Sequence, residues 1–164
     1  CSIRRRVVTR VCPLDRGESR PAAAPGVQVE LVSENDATLW TRIVAQGFAE
    51  HFPVTPEILE VMELFFYNPE ATCFLARING EPVGGGALSI HDGIAGMFGA
   101  STLPAFRNCG VQTSLLQTRL AQAMAAGCDL ALTITQPSST SQRNVERQGF
   151  RVVYTRVKFA RKWI

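Results

Sequence analysis

Two dipeptides, Asn79-Gly80 and Asp92-Gly93, constrain this chain more than any other feature. Each is a two-residue hairpin signal: the turn needs left-handed backbone at its central residues, and Asn, Asp and Gly adopt it at least cost. Around them lie three runs that read as strands, Cys73 to Ile78, Pro82 to Ile90 and Ile94 to Thr102. Three strands joined by two tight turns form an antiparallel meander. The middle run holds Gly84-Gly85-Gly86, inside a strand rather than at a strand-to-helix turn. That placement predicts a bulge or a close helix approach, not a nucleotide loop.

The third strand runs into Ser101 to Thr113, punctuated by Pro104 and Gly110, and then into an apolar-periodic stretch from Val111 to Ala126. This reads as strand, tight loop, helix. Leu116, Leu120, Ala123 and Met124 make the expected buried face, with Val111 and Leu115 alongside, and Gly127 stops the helix. No acidic residue occurs between Asp92 and Asp129. Most helices place Asp or Glu in the first turn to answer the dipole. This one offers bare backbone amides with Arg107 beside them, which suits an external phosphate or diphosphate.

Asp129 to Thr135 reads as a strand, so the pair flanking the helix forms a β-α-β unit and should be parallel. A short helix fits Ser141 to Gln148, closed by Gly149, and Phe150 to Phe159 is the last strand. Upstream, Val27 to Val32 alternates as a half-buried strand. A helix follows from about Asp36 to His51, with Trp40, Ile43, Val44 and Phe48 on one face. Thr55-Pro56 starts another, with Ile58, Met62, Phe65 and Phe66 on one face. The sum is an α/β (α+β) chain: a mixed, mostly antiparallel sheet, parallel at the centre, with helices on both faces.

The N-terminal part fits less easily. The chain opens on Cys1; Ser2 to Val11 reads as a strand, and Pro13 to Gly26 as a linker rich in Pro, Ala and Gly. Residues 1–26 are therefore expected to be an extra strand and linker. The strand is either the end of a preceding domain outside this chain or an added edge strand of the same sheet. Residues 27–164 form the main domain.

Composition excludes several classes. A formal net charge of +3 over 164 residues, with the cations scattered, does not argue for nucleic acid. The run Arg4-Arg5-Arg6 is short enough to be a solvated strand edge. No apolar run approaches the ~20 residues of a membrane helix, and no apolar segment of a signal peptide follows the basic N-terminus. Five cysteines, an odd count without C-x-x-C, argue against a disulfide framework or zinc site and for a reducing cytoplasm. Two histidines, His51 and His91, cannot build a His-rich metal site, so no metal is expected.

The order of elements and two motifs resemble the GNAT superfamily of acyl-CoA-dependent N-acetyltransferases, over roughly Val27 to Lys162. The family's diphosphate loop has the form (Gln/Arg)-x-x-Gly-x-(Gly/Ala), usually after Pro-x-(Tyr/Phe). Here Pro104, Phe106, Arg107 and Gly110 match, while Gln112 replaces a small residue. The resemblance implies a twisted sheet with a splayed central parallel pair, and acetyl-CoA as co-substrate. Amides from Asn108, Cys109, Gly110, Val111, Gln112 and Thr113 would donate to the diphosphate, with Arg107 adding charge. Backbone groups of Thr102 and Leu103 would pair with the pantetheine arm like an added strand and polarise the thioester carbonyl.

The second motif is Ser138 to Phe150, set against the family's Asn-x-x-(Ala/Ser)-x-x-x-Tyr-x-x-x-Gly-Phe. Aligned on Gly149-Phe150, Ser138 stands at the Asn, Ser141 at the small residue and Val145 at the Tyr. That Tyr is often the acid that protonates the departing thiolate, and Val cannot do this. Asn144 is a candidate cofactor contact, or a brace of its loop. Tyr154 on the last strand is a weak candidate acid. The third strand carries no Glu to serve as base; Glu50, His51, His91 and Asp92 are the alternatives, and a water relay is preferred over them. Cys109 is not assigned as a nucleophile.

The function this implies is acetyl transfer from acetyl-CoA directly to an amine, small-molecule or peptide, bound near Ala49 to Thr55 and the last strands. The alternatives are a non-catalytic acyl-CoA-binding or regulatory domain, and an interaction module that has lost CoA. A homodimer is left open.

Overall fold

In the computed structural model, residues 2–15, 23–49 and 52–161 are described. Both hairpin dipeptides adopt the left-handed turns their chemistry favours, with φ of 51° and 81° at Asn79 and Gly80 and 47° and 76° at Asp92 and Gly93. They join β3 (Ala71–Ile78), β4 (Glu81–His91) and β5 (Ile94–Thr102) into the expected meander. β2 (Val27–Leu31) adds antiparallel to β3. On the other side β5 runs parallel to β6 (Leu130–Thr135), as the intervening helix α3 (Val111–Ala125) requires.

The N-terminal strand β1 (Ser2–Pro13) corrects an expectation. It is not an edge strand: it lies between β6 and β7 (Arg151–Arg161), antiparallel to both. The described residues form a seven-stranded sheet in the order β2-β3-β4-β5-β6-β1-β7. Polar links explain why β1 stays inside. Arg10 is 3% exposed; its Nη1 lies 2.8 Å from Glu146 of α4 (Thr140–Arg147), and its Nε donates to Thr135 Oγ1 of β6 at 3.3 Å.

Helices cover both faces. Against one, α1 (Ala37–Phe48) buries Trp40, Ile43 and Val44 on Cys73, Leu75 and Ala87. The Trp40 indole N–H donates to Phe74 O at 3.0 Å, satisfying a polar group that is fully enclosed. α2 (Pro56–Phe66) lies more loosely: Met62 and Phe66 reach this cluster, yet no residue of α2 is buried and Leu64 is 73% exposed. Against the other face, α3 buries Val111, Leu115, Leu116, Leu120 and Ala123 on the sheet, with Val145 and Phe150 in the same core. Cys73 and Cys128 are buried, and burial pushes the Cys73 thiol up to about 12. No helix among the described residues is long and apolar enough to cross a membrane.

The glycine triplet marks where the two helix layers meet the sheet most closely. A methyl group at Gly84 would stand 2.9 Å from Val111 of α3, and one at Gly85 would stand 2.7 Å from Val44 of α1. Gly86 sits at a bulge, because β4 and β5 pair as Gly85 with Ser101 and then as Ala87 with Phe98. One residue of β4 therefore faces two of β5, Gly99 and Ala100. Gly99 has φ of 60°, the left-handed residue that such bulges need. Both features the triplet predicted, bulge and close packing, are present.

Candidate functional site

The bulge decides the shape of the site. A bulged strand bends, and β5 parts from β6 directly after the Met97–Thr133 pair, the last of their parallel register. The Thr133 hydroxyl donates to Met97 O at 3.1 Å at this apex. Beyond it, Phe98, Ser101 and Thr102 stay paired to β4, with Gly99 and Ala100 at the bulge, and no described strand pairs with them on the β6 side. The result is a wedge with one open strand edge.

At the wide end of the wedge the chain turns into α3. Pro104–Phe106 makes one 3-10 turn; then Asn108 and Gly110 take left-handed backbone, with φ of 65° and 80°. Gly110 is the residue before the helix and supplies no cap, and no acid stands in the first turn. The N–H groups of Val111, Gln112 and Thr113 lack intrahelical partners, as at any helix start. Among the described residues nothing else bonds them. The expected amide crown therefore forms at the mouth of the wedge. Arg107 lies beside it, with its Nη2 donating to Gly47 O at 3.4 Å.

Thr102 and Leu103 do not play equal parts. The Leu103 N–H donates to Val83 O at 2.9 Å, back across the meander. It faces β4 and cannot donate into the wedge, which corrects its expected role as a donor there. Strand alternation turns the Thr102 backbone to the other side, toward the open edge. Gln112, the residue that departs from the family pattern, bonds from Nε2 to Thr102 Oγ1 at 2.8 Å. A small residue could not tie the helix start to the strand end in this way.

Several neighbours of the site escaped the sequence reading. Ser101 Oγ donates to Val44 O at 2.9 Å, and a Cβ at Gly47 would collide with Ser101. The C-terminal half of α1 is thus pressed onto the end of β5. Gly47 was the available signal, since glycine inside a helix costs about 1 kcal/mol and calls for a reason. Ala24, from the N-terminal linker, donates its N–H to Ser114 Oγ at 2.9 Å, and its methyl is what a Cβ at Gly110 would strike. No sequence signal marked that contact.

The second motif is placed as follows. Ser139 caps α4, its hydroxyl accepting from the Gln142 N–H at 3.1 Å. Ser138 has φ of 61°, and its N–H is already taken by Gln142 Oε1 at 2.9 Å. Asn144 is half-buried on α4, and its side chain makes no hydrogen bond to other described residues. Val145 is buried in the α3-side core, so the usual acid position is filled by packing.

Tyr154 is not brought to the site. It lies on β7, paired with Thr9 of β1, and β6 and β1 stand between β7 and β5. Three strand spacings of about 4.8 Å exceed the reach of its side chain. The correction follows from β1, whose insertion moves β7 outward by one strand. His91 and Asp92 pair at 3.3 Å, exposed, at the turn that begins β5, the end away from the wedge. Glu50 and His51 lie outside the described residues. Cys109 is exposed in the loop, its thiol 3.6 Å from Arg107 O. A separate cleft of about 410 Å³ between β3 and the end of α2, lined by Leu31, Phe66, Tyr67 and Thr72, includes none of these residues.

Known proteins share this architecture. A GCN5-related N-acetyltransferase from Sphaerobacter thermophilus superposes with a TM-score of 0.73 at 18% identity, over 98% of this chain and 53% of that one. A putative GNAT-family acetyltransferase from Novosphingobium aromaticivorans gives 0.69 at 17% identity, over 94% of this chain and 63% of that one. The chain thus spans little more than half the length of these two structures. AAC(6')-Iy, in complex with a bisubstrate analogue, CoA-S-monomethyl-acetylneamine, gives 0.62 at 22% identity over 84% and 99%. No curated protein matches in sequence. The sequence model of the Acetyltransferase (GNAT) family matches residues 38–150, from the first turn of α1 through α4, and so encloses the meander, the wedge and the acid-free helix start. The chain belongs to the GNAT acetyltransferase family.

Proposed function

We propose that the protein transfers an acetyl group from acetyl-CoA directly to an amine, of a small molecule or a peptide. The observation that carries this reading is the wedge: an open strand edge from Phe98 to Thr102 leading to an amide crown without acids. An extended amide-bearing arm suits the open edge as an added strand, and a diphosphate suits the crown. Asn108 to Thr113 supply the amides and Arg107 the charge. Thr102 is the strand residue that faces the arm. Ser138 and Asn144 are further candidate contacts from the α4 side. The CoA-containing analogue bound by AAC(6')-Iy, a protein of like fold, agrees with this use of the fold.

Catalysis then rests on holding thioester and amine in near-attack geometry, which can supply several kcal/mol without a dedicated acid. Val145 leaves no phenol at the usual acid position, so water protonates the departing thiolate and a water relay takes the amine proton. Calorimetry with acetyl-CoA, followed by thiol release over a panel of amines, tests the proposal. Binding with turnover supports it. Binding without turnover on any amine favours a regulatory acyl-CoA-binding domain, and absence of binding removes both.

A further inference from the structure

Arg119 is a buried guanidinium on α3. It lies two turns along α3, is 3% exposed, and no carboxylate pairs with it among the described residues. Its Nε donates to Leu115 O at 3.0 Å within the helix. Its Nη1 donates to Ala87 O at 3.1 Å and to Phe98 O at 3.4 Å. Those carbonyls belong to the pair that closes the β4–β5 bulge. Gly86, the single β4 residue opposite the bulge, leaves the space: a Cβ there would come within 3.1 Å of the guanidinium carbon.

A buried cation without a counter-charge is a poor stabiliser, since an apolar side chain of like volume is often neutral or better. Burial lowers its pKa to about 10, so it stays charged at neutral pH. What it provides is geometry. The same helix whose N-terminus forms the amide crown reaches, about 12 Å further on, into the bulge that opens the wedge. Besides it, the Gln112–Thr102 bond and apolar packing relate crown to bulge.

We infer that Arg119 is a positioning residue for the acyl-CoA arm: its guanidinium fixes the β5 bulge relative to the N-terminus of α3, so that the open strand edge and the amide crown engage one molecule at once. This rests on the acetyl-CoA reading above.

The test compares two probes on the full chain, acetyl-CoA and its head alone, 3′-phosphoadenosine 5′-diphosphate, by calorimetry. Arg119→Met is expected to melt close to the wild type and to bind the head within about twofold, while losing about tenfold in acetyl-CoA affinity. Arg119→Lys should recover part of that loss. A merely structural role would leave the ratio of the two affinities unchanged, and an unchanged ratio overturns the inference. Should Arg119→Met fail to fold, Gly86→Ala displaces the guanidinium without removing it and must show the same selective loss; an unchanged ratio there is equally fatal. If the wild type binds the head and acetyl-CoA with equal affinity, the arm is not engaged and this inference falls alone. If it binds neither, the acetyl-CoA reading falls and this one with it.

Discussion

The centre of the sheet and its β7 edge are built from different residues under opposite constraints. At the centre, β4 and β5 are gripped from both faces. Trp40 and Val44 press from one side and Val111 and Arg119 from the other, and Gly84 and Gly85 have no room for a methyl group. At the edge, Arg151 to Val157 are all exposed, and Val152, Val153 and Tyr154 are each about half accessible. β7 is rich in residues that favour strands, while β4 carries three consecutive glycines that do not. Only the centre is held to one geometry, and that geometry shapes the site. The difference teaches where sequence change is costly: a site made of backbone depends on the glycines and helix faces that set the backbone, more than on reactive side chains.

The largest expected effect is steric. Gly85→Val places branched carbons where a single Cβ already comes within 2.7 Å of Val44 and 2.9 Å of the Trp40 ring nitrogen. Overpacking of this kind should cost about 3 kcal/mol, read as a lower midpoint in urea. A loss below about 1 kcal/mol would mean that α1 can move aside and that the centre is no stiffer than the edge.

Next comes a change that separates binding from stability. Gln112→Glu sets a carboxylate in the first turn of α3, where the helix dipole favours it by about 0.5 kcal/mol. The same charge faces the proposed diphosphate and should weaken acetyl-CoA binding about thirtyfold, or roughly 2 kcal/mol. Unaltered affinity would remove the diphosphate from this loop. This variant is a cleaner test than any change at Gly110, whose φ of 80° and contact with Ala24 mean that a side chain there disturbs the linker as well.

The third expected effect concerns β1. Glu146→Ala strips Arg10, a buried guanidinium, of its one carboxylate and leaves it the Thr135 hydroxyl. Because Glu146 itself is 42% exposed, the cost should be nearer 1.5 kcal/mol than the value for a wholly buried pair. Thermal melts of the single and double variants with Arg10→Met would measure the coupling. A coupling near zero would show that β1 is held by strand pairing alone.

Much of this was legible before the fold was known, for identifiable reasons. Asn79-Gly80 and Asp92-Gly93 fix their own backbone, so the meander followed from local chemistry. The acid-free stretch before Asp129 marked the helix start as an amide crown because dipole and charge act within one turn. What stayed hidden depends on contacts distant in sequence. β1 enters the sheet through pairings more than about 115 residues away, which no local pattern encodes. The Leu103 N–H was misassigned because its direction depends on register across β4. No sequence signal singled out Arg119; only the bulge opposite gives it a place.

The smallest expected effect returns to the edge and is the most informative about mechanism. Tyr154→Ser removes a phenol that is 49% exposed and three strands from β5. Stability should change by no more than about 0.5 kcal/mol, as at other exposed positions away from special contacts. If a Tyr on β7 were the acid, turnover would fall by about two orders of magnitude or more and the alkaline limb of its pH profile would shift. The proposed function predicts neither, because in it the chemistry is carried by placement and by water. Retained turnover in this variant, beside lost binding in Gln112→Glu, would locate function in the gripped centre. A collapse of turnover in Tyr154→Ser would instead require β7 to approach β5 in the working enzyme, and the contrast between the two regions would fail.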